Sequence, residues 1–147
     1  MSDRRPELFE FRDITKHYPI LGGVFKRQKG TVRVLNGIDL KIKPGDTFGL
    51  VGESVCGKST LAKLMMKLED LTSGDLFYMG KPVEEIHGRD KKAYYRQLQM
   101  IFQDPFSSLN PRLKIKDIVG EMIRIQGVGK KEERSRVIQI LNRVGLG

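Results

Sequence analysis

The sequence predicts an α/β fold. Residues 47–51, Thr-Phe-Gly-Leu-Val, form a short apolar run with the look of a strand buried on both faces. A glycine-rich loop follows. From residue 58 to residue 68, apolar side chains at 61, 64, 65 and 68 mark one face of a helix.

Each remaining element has its own signal. Residues 8–18 read as a strand, with Leu8, Phe9, Phe11, Ile14 and Tyr18 in imperfect alternation. Pro19 and the Gly22-Gly23 pair are expected to break it, and residues 22–30 to form a basic loop. Residues 32–42 read as a second strand, because Val32, Val34, Ile38, Leu40 and Ile42 share even positions. Asn36-Gly37 inside it marks a turn or a bulge. Pro44-Gly45-Asp46 and Thr72-Ser73-Gly74-Asp75 are turns. Residues 76–79 and 99–103 are expected as strands and residues 90–97 as a short helix. Residues 107–112 form a loop around Pro111. Residues 115–126 are helical, with Ile118, Met122 and Ile125 on one face. The last helix, residues 130–146, carries Val137, Ile140, Leu141 and Val144 as its apolar stripe. Glu132 and Glu133 suit its positive end, Arg143 its negative end, and Gly145 its C-terminus.

Composition narrows the function classes. A chain of 147 residues with 39% hydrophobic and 31% charged residues builds one core and is not a disordered chain. The formal net charge of +9 suits a partner bearing phosphates: a nucleotide, a nucleic acid or an anionic membrane face. Cys56 is the single cysteine, so no internal disulfide is possible, which fits a reducing compartment. Residues 1–7 show no apolar stretch of a secretory signal, and no apolar run approaches the ~20 residues that span a bilayer. Any membrane role then comes through a protein partner.

Gly52-Glu53-Ser54-Val55-Cys56-Gly57-Lys58-Ser59-Thr60 matches G-x-x-x-x-G-K-[ST] in full, between a predicted strand and a predicted helix. Backbone N–H groups of such a loop wrap phosphate oxygens, and glycine permits the torsions and the close approach. The helix that starts near Lys58 aims its unpaired N–H groups and positive dipole end at the anion. Lys58 supplies a positive charge for the β and γ phosphates, the Ser59 hydroxyl can join a Mg²⁺ shell, and Thr60 reaches the α phosphate. Cys56, a thiol near a helix start, is either reactive or simply a small loop residue.

Residues outside the loop assign the class. The segment from Val51 to Leu61 closely resembles the Walker A region of ABC ATPases. Ile101-Phe102-Gln103-Asp104-Pro105-Phe106-Ser107-Ser108-Leu109-Asn110-Pro111-Arg112 resembles the Q-loop segment of oligopeptide and dipeptide importers, features shared with nickel and other small-solute importers. Tyr18-Pro19-Ile20-Leu21-Gly22-Gly23-Val24-Phe25-Lys26-Arg27 is similar to an insert of the same subfamily. The resemblance implies the N-terminal half of an ABC nucleotide-binding domain: a P-loop NTPase core, an antiparallel β subdomain before it and the start of a helical subdomain after it. The implied boundaries are about residues 1–46, 47–104 and 105–147. It implies ATP and Mg²⁺ as ligands, with Tyr18 stacking on adenine and Gln103 sensing the γ phosphate and Mg²⁺; the loop from Gly52 through Glu53, Ser54, Val55, Cys56 and Gly57 to Thr60 binds the nucleotide, and Ser59 and Gln103 meet the metal. It also implies permease subunits and a second ATP-binding subunit as partners, on the cytoplasmic face of the cell membrane. Residues 107–126 would receive the permease.

Two departures qualify these expectations. Val55 stands where the family pattern has glycine. If that site needs a positive φ, a β-branched residue carries strain on the order of 1–3 kcal/mol. Weaker nucleotide binding than in the glycine form is expected, and equal affinities in titrations of this chain and its Val55→Gly variant would refute it. The chain also ends before the family's signature motif, Walker B strand, catalytic glutamate and switch histidine. Glu132 and Glu133 are expected on a solvated helix face, and His17 and His87 as ordinary surface histidines. The chain alone is therefore expected to be inactive in hydrolysis, and aggregation-prone or only partly ordered, because strand 47–51 lacks sheet neighbours. The competing readings are a binding-only relic that holds nucleotide without hydrolysing it, and a basic nucleic-acid-binding protein. Lysine and arginine are spread along the chain instead of interleaved with aromatics, which argues against nucleic acid as a partner. The Gln103 segment disfavours a kinase or GTPase.

Overall fold

The computed structural model describes residues 7–22, 27–53, 56–104 and 108–146. The chain divides into two compact units, residues 1–100 and 101–147, each described by itself. The expected roles of Ser54 and Val55, the Gly23 end of the first turn signal, residues 24–26 and the segment 105–107 lie outside the described residues.

In the first unit, β1 (Phe9–Gly22), β2 (Arg27–Ile42), β3 (Ser73–Tyr78) and β4 (Lys81–Pro82) form an antiparallel sheet in the order β2-β1-β3-β4. The helices α1 (Lys58–Met65) and α2 (Gly88–Gln97) and a single 3₁₀ turn, Val83–Glu85, complete it. The core draws on every one of these elements except β4, together with Ile86: Phe9, Phe11, Ile14, Leu35, Leu61, Leu64, Leu76, Val83, Ile86 and Tyr94.

The imperfect alternation of β1 has a structural cause. Phe9 and Phe11 point into the core, and strict alternation would bring Asp13 in next. Instead the register slips between Phe11 and Ile14, Asp13 takes φ 48°, and Ile14 becomes fully buried. The Asp13 N–H donates to Asp39 Oδ1 at 3.0 Å, so the bulge keeps its polar group satisfied. The register of β2 slips the opposite way between its partners Ile38 and Leu35, with Gly37 at φ 67°, as expected of a bulge at Asn36-Gly37. Gly74, at φ 90°, lies under the β1 bulge; a Cβ there would come within 2.3 Å of the Asp13 carbonyl oxygen.

Pro19 does not end β1, which runs on to Gly22 against β2. The pairing of β1 with β3 stops at Thr15, so Pro19 belongs to a stretch with an open edge, where a missing N–H breaks no ladder. The expected basic loop at 22–30 is correspondingly replaced by strand at both ends. Two expected strands are absent. Residues 47–51 and 99–103 take no strand conformation, and Phe48, Val51 and Ile101 are exposed. A strand buried on both faces requires partners on both edges, and none of the described strands pairs with either segment.

Helix α1 stops earlier than expected, in a Schellman turn. Leu68 N–H donates to Lys63 O at 2.9 Å and Lys67 N–H to Leu64 O at 3.0 Å, with Lys67 itself at φ 49°. The Lys67 ammonium reaches across to Val83 O at 2.7 Å and Ile86 O at 3.2 Å. Tyr94 of α2 is buried, packs edge-on to Tyr78 with centroids 4.9 Å apart, and donates its hydroxyl to Met65 O at the end of α1. Burial and the neighbouring Tyr95 and Tyr78 push the Tyr94 phenol well above its ordinary range, so it stays a donor.

The second unit contains the hairpin of α3 (Ile115–Ile125) and α4 (Lys130–Arg143). Gly120, Ile123 and Val137 are buried between them, whereas Met122, Ile125, Ile140 and Val144 are exposed. The packed stripe is thus rotated from the expected one, because α4 lies over Gly120, where the absence of a side chain admits Glu133. Glu133 is accordingly not on a solvated face: it is largely buried and pairs with Arg124 at 2.9 Å. Glu132 is exposed and pairs with Arg136. Gly145, at φ 75°, ends α4 as expected, with Leu146 N–H on Leu141 O at 2.9 Å.

Candidate phosphate-binding site

The site begins with Gly57. It adopts φ 92° and caps α1 with its carbonyl, which accepts from Leu61 N–H at 2.9 Å. No side chain caps the start of α1, and its first turn holds no acid. The dipole's positive end and the early N–H groups are therefore left for an external anion. Leu61 and Leu64 bury the inner face of α1 in the core, which fixes the direction in which that end points.

The loop folds around Lys58. Its ammonium donates to Gly52 O at 2.8 Å, to Glu53 O, and to Cys56 Sγ at 3.2 Å. Gly52 is exposed, but a Cβ there would crowd the loop, lying 2.8 Å from Cys56 Sγ and 4.0 Å from Lys58 Nζ. Ser59 is exposed on the first turn of α1 and Thr60 is half-buried beside it. The residues present fit a polyphosphate: a charge and two hydroxyl residues stand in succession at a helix start that no side chain caps, next to a backbone kept bare by Gly52 and Gly57. Among the described residues no three of His, Cys, Asp and Glu cluster to hold a metal, so a Mg²⁺ here would depend on Ser59 and on phosphate oxygens.

The Lys58 hydrogen bond and charge hold the Cys56 thiol below its usual range. Because the thiolate is the nucleophile, Cys56 should react with iodoacetamide at lower pH than an unperturbed thiol. Rates measured between about pH 6 and 9 should shift upward in pH in the Lys58→Ala variant. An unchanged profile would mean that the lysine does not tune the thiol.

Tyr18 stands on β1, half-buried, opposite Val32. Its hydroxyl donates to Glu69 Oε2, and Thr60 meets the same phenol. The structure thereby brings the aromatic and the loop helix together. Sequence reasoning missed Glu69, Lys63 and Lys16, which surround that hydroxyl and ring; partners 51 positions apart leave no local periodic signal. Gln103 belongs to the second unit, where it is exposed in a bend. His17 Nε2 pairs with Asn36 Oδ1 at 3.0 Å, and His87 precedes α2, exposed, so neither histidine joins the loop.

The ABC transporter family model matches residues 35–147, which contain the whole loop. The chain belongs to the ABC transporter family. Curated relatives of this ABC chain include the oligopeptide transport ATP-binding protein OppF of Lactococcus lactis subsp. lactis, 44% identical over 141 residues, covering 95% of this chain and 44% of the relative. The di/tripeptide transport ATP-binding protein DppF of Pseudomonas aeruginosa is 41% identical over 136 residues, 92% of this chain and 42% of the relative. The oligopeptide transport ATP-binding protein AppF of Bacillus subtilis is 38% identical over 141 residues, 95% and 43%. The ABC chain thus spans less than half the length of these relatives. Among solved structures, cbiO1 of Clostridium perfringens, part of the ABC transporter complex cbiONQ, superposes with a TM-score of 0.67 over 96% of this chain and 51% of that one. At 20% identity that likeness speaks for the ABC ATPase fold. No helix among the described residues of this ABC chain is long and apolar enough to cross a membrane.

Proposed function

We propose that this chain binds ATP with Mg²⁺ as part of the energy-coupling subunit of a peptide importer. The observation that carries the reading is the Gly52–Thr60 loop closed on the Lys58 ammonium at the uncapped start of α1. The names of the peptide-transport relatives support the solute class.

In this reading the N–H groups of Glu53, Ser54, Val55, Cys56 and Gly57 cradle the phosphates, and Lys58 exchanges loop carbonyls for β and γ oxygens. Ser59 ligates the metal, Thr60 meets the α phosphate, and the Tyr18 ring carries the adenine. Gln103, whose amide both donates and accepts, senses the γ phosphate and Mg²⁺ and relays to a permease subunit. When bound, ATP supplies the phosphoanhydride bond whose cleavage drives transport. The whole protein would work with membrane permease subunits and a second ATP-binding subunit at the inner membrane face. Binding without hydrolysis is the second reading for this chain. It is favoured by the make-up of the loop itself: Glu53 is the one carboxylate among its described residues and is exposed, and its backbone carbonyl is taken by the Lys58 ammonium.

Calorimetric titration with MgATP tests the proposal. Saturable binding that excess inorganic tripolyphosphate displaces is expected; heats no larger than dilution would overturn it.

A further inference from the structure

Resting on the nucleotide reading, we infer that Glu69 is a positioning residue for the Tyr18 ring, tying the base platform to the phosphate-loop helix. The Tyr18 phenol donates to Glu69 Oε2, while Glu69 Oε1 accepts from Lys63 Nζ of α1 at 3.2 Å. Lys16 Nζ approaches the same carboxylate at 3.9 Å and donates to Asp70 O at 2.6 Å. Thr60, in the first turn of α1, also meets the phenol. The ring is therefore held at its far end by groups that belong to α1 or follow directly from it.

This arrangement has a consequence for binding. A tyrosine ring changes place by hopping between its staggered χ1 wells, and a hydrogen bond at the hydroxyl, the far end of the ring, holds it in one of them. A base stacks only on a ring that stands in the right place, so an unanchored ring must be ordered at each binding event. Lys16 Nζ also lies 4.8 Å from the ring centroid, a cation–π contact that occupies one face of the ring. Partial burial raises the Glu69 carboxyl, but Tyr18, Lys63 and Lys16 outweigh it and hold the group below its ordinary range, so the acceptor stays ionised.

The test separates base from phosphates. MgATP and magnesium tripolyphosphate are titrated calorimetrically into the chain and into Glu69→Ala, Glu69→Gln, Tyr18→Phe and Glu69→Ala/Tyr18→Phe. In Glu69→Ala, ATP affinity should fall about three- to tenfold, the cost of ordering one side chain. Tripolyphosphate affinity should stay within about twofold, which also verifies that the loop is folded. Glu69→Gln keeps an acceptor for the phenol and should restore most of the affinity. Tyr18→Phe should match Glu69→Ala, and the double variant should lose nothing more. Unchanged ATP affinity in Glu69→Ala, a parallel fall for both ligands, or additive losses would each overturn the inference and leave the nucleotide reading standing. A parent chain that binds neither ligand removes both.

Discussion

Lys58→Ala is expected to cost nucleotide affinity about 10- to 150-fold while leaving the unfolding midpoint nearly unchanged. Hydrogen bonds to charged groups are worth about 1.5–3 kcal/mol each, and this ammonium is the only side-chain cation among the described residues of the loop. Stability should barely respond, because the groups left without a donor, Gly52 O and Glu53 O, belong to exposed residues that water can satisfy. The lysine therefore serves the ligand more than the fold. Calorimetric titration and thermal melting on the same samples check the two halves. A variant that melts far below the parent would make Lys58 a structural clasp of the loop, and one that binds MgATP normally would remove the loop from the site.

What could be read from residues alone depended on how locally each feature is determined. The loop, α1 and α4 were legible because glycine placement, a lysine at a helix start and a repeating apolar stripe are short-range signals. The bulge at Asn36-Gly37 was legible for the same reason. Pro19 was misjudged because its effect depends on whether another strand lies alongside, and β3 has already left β1 by Thr15. Residues 47–51 were misjudged in the opposite sense: an apolar run states a preference for burial, yet strand pairing also needs a neighbour supplied from elsewhere. The packed face of α3 shifted to Gly120 and Ile123 because a glycine admits the partner helix more closely than Met122 would. At the site itself, Gly52 to Thr60 announced itself, whereas Glu69 did not. A carboxylate's role is set by what faces it, and Tyr18 reaches it only through the sheet.

Gly57→Ala is expected to damage fold and site together, by about 2–5 kcal/mol of stability and with it the loop's hold on phosphate. Two costs combine. A left-handed backbone at φ 92° disfavours any L side chain by about 1–2 kcal/mol. The new methyl would also lie 2.7 Å from Leu35 Cδ2 and 3.0 Å from Val34 O, and forcing a methylene into a packed site adds about 1–3 kcal/mol. Leu35 is buried in the core and cannot retreat without disturbing close-packed neighbours, so the strain returns to the loop. Gly45→Ala provides the comparison. Gly45 has nearly the same torsion, φ 87°, but nothing lies within 4 Å of its Cβ position. It should lose only the torsional part and bind MgATP like the parent. Equal effects of the two substitutions, in melting and in titration, would show that the close approach of β2 to Gly57 does not support the loop. A larger loss at Gly57, with weakened binding, would show that the second strand of the sheet holds the phosphate loop in shape from beneath.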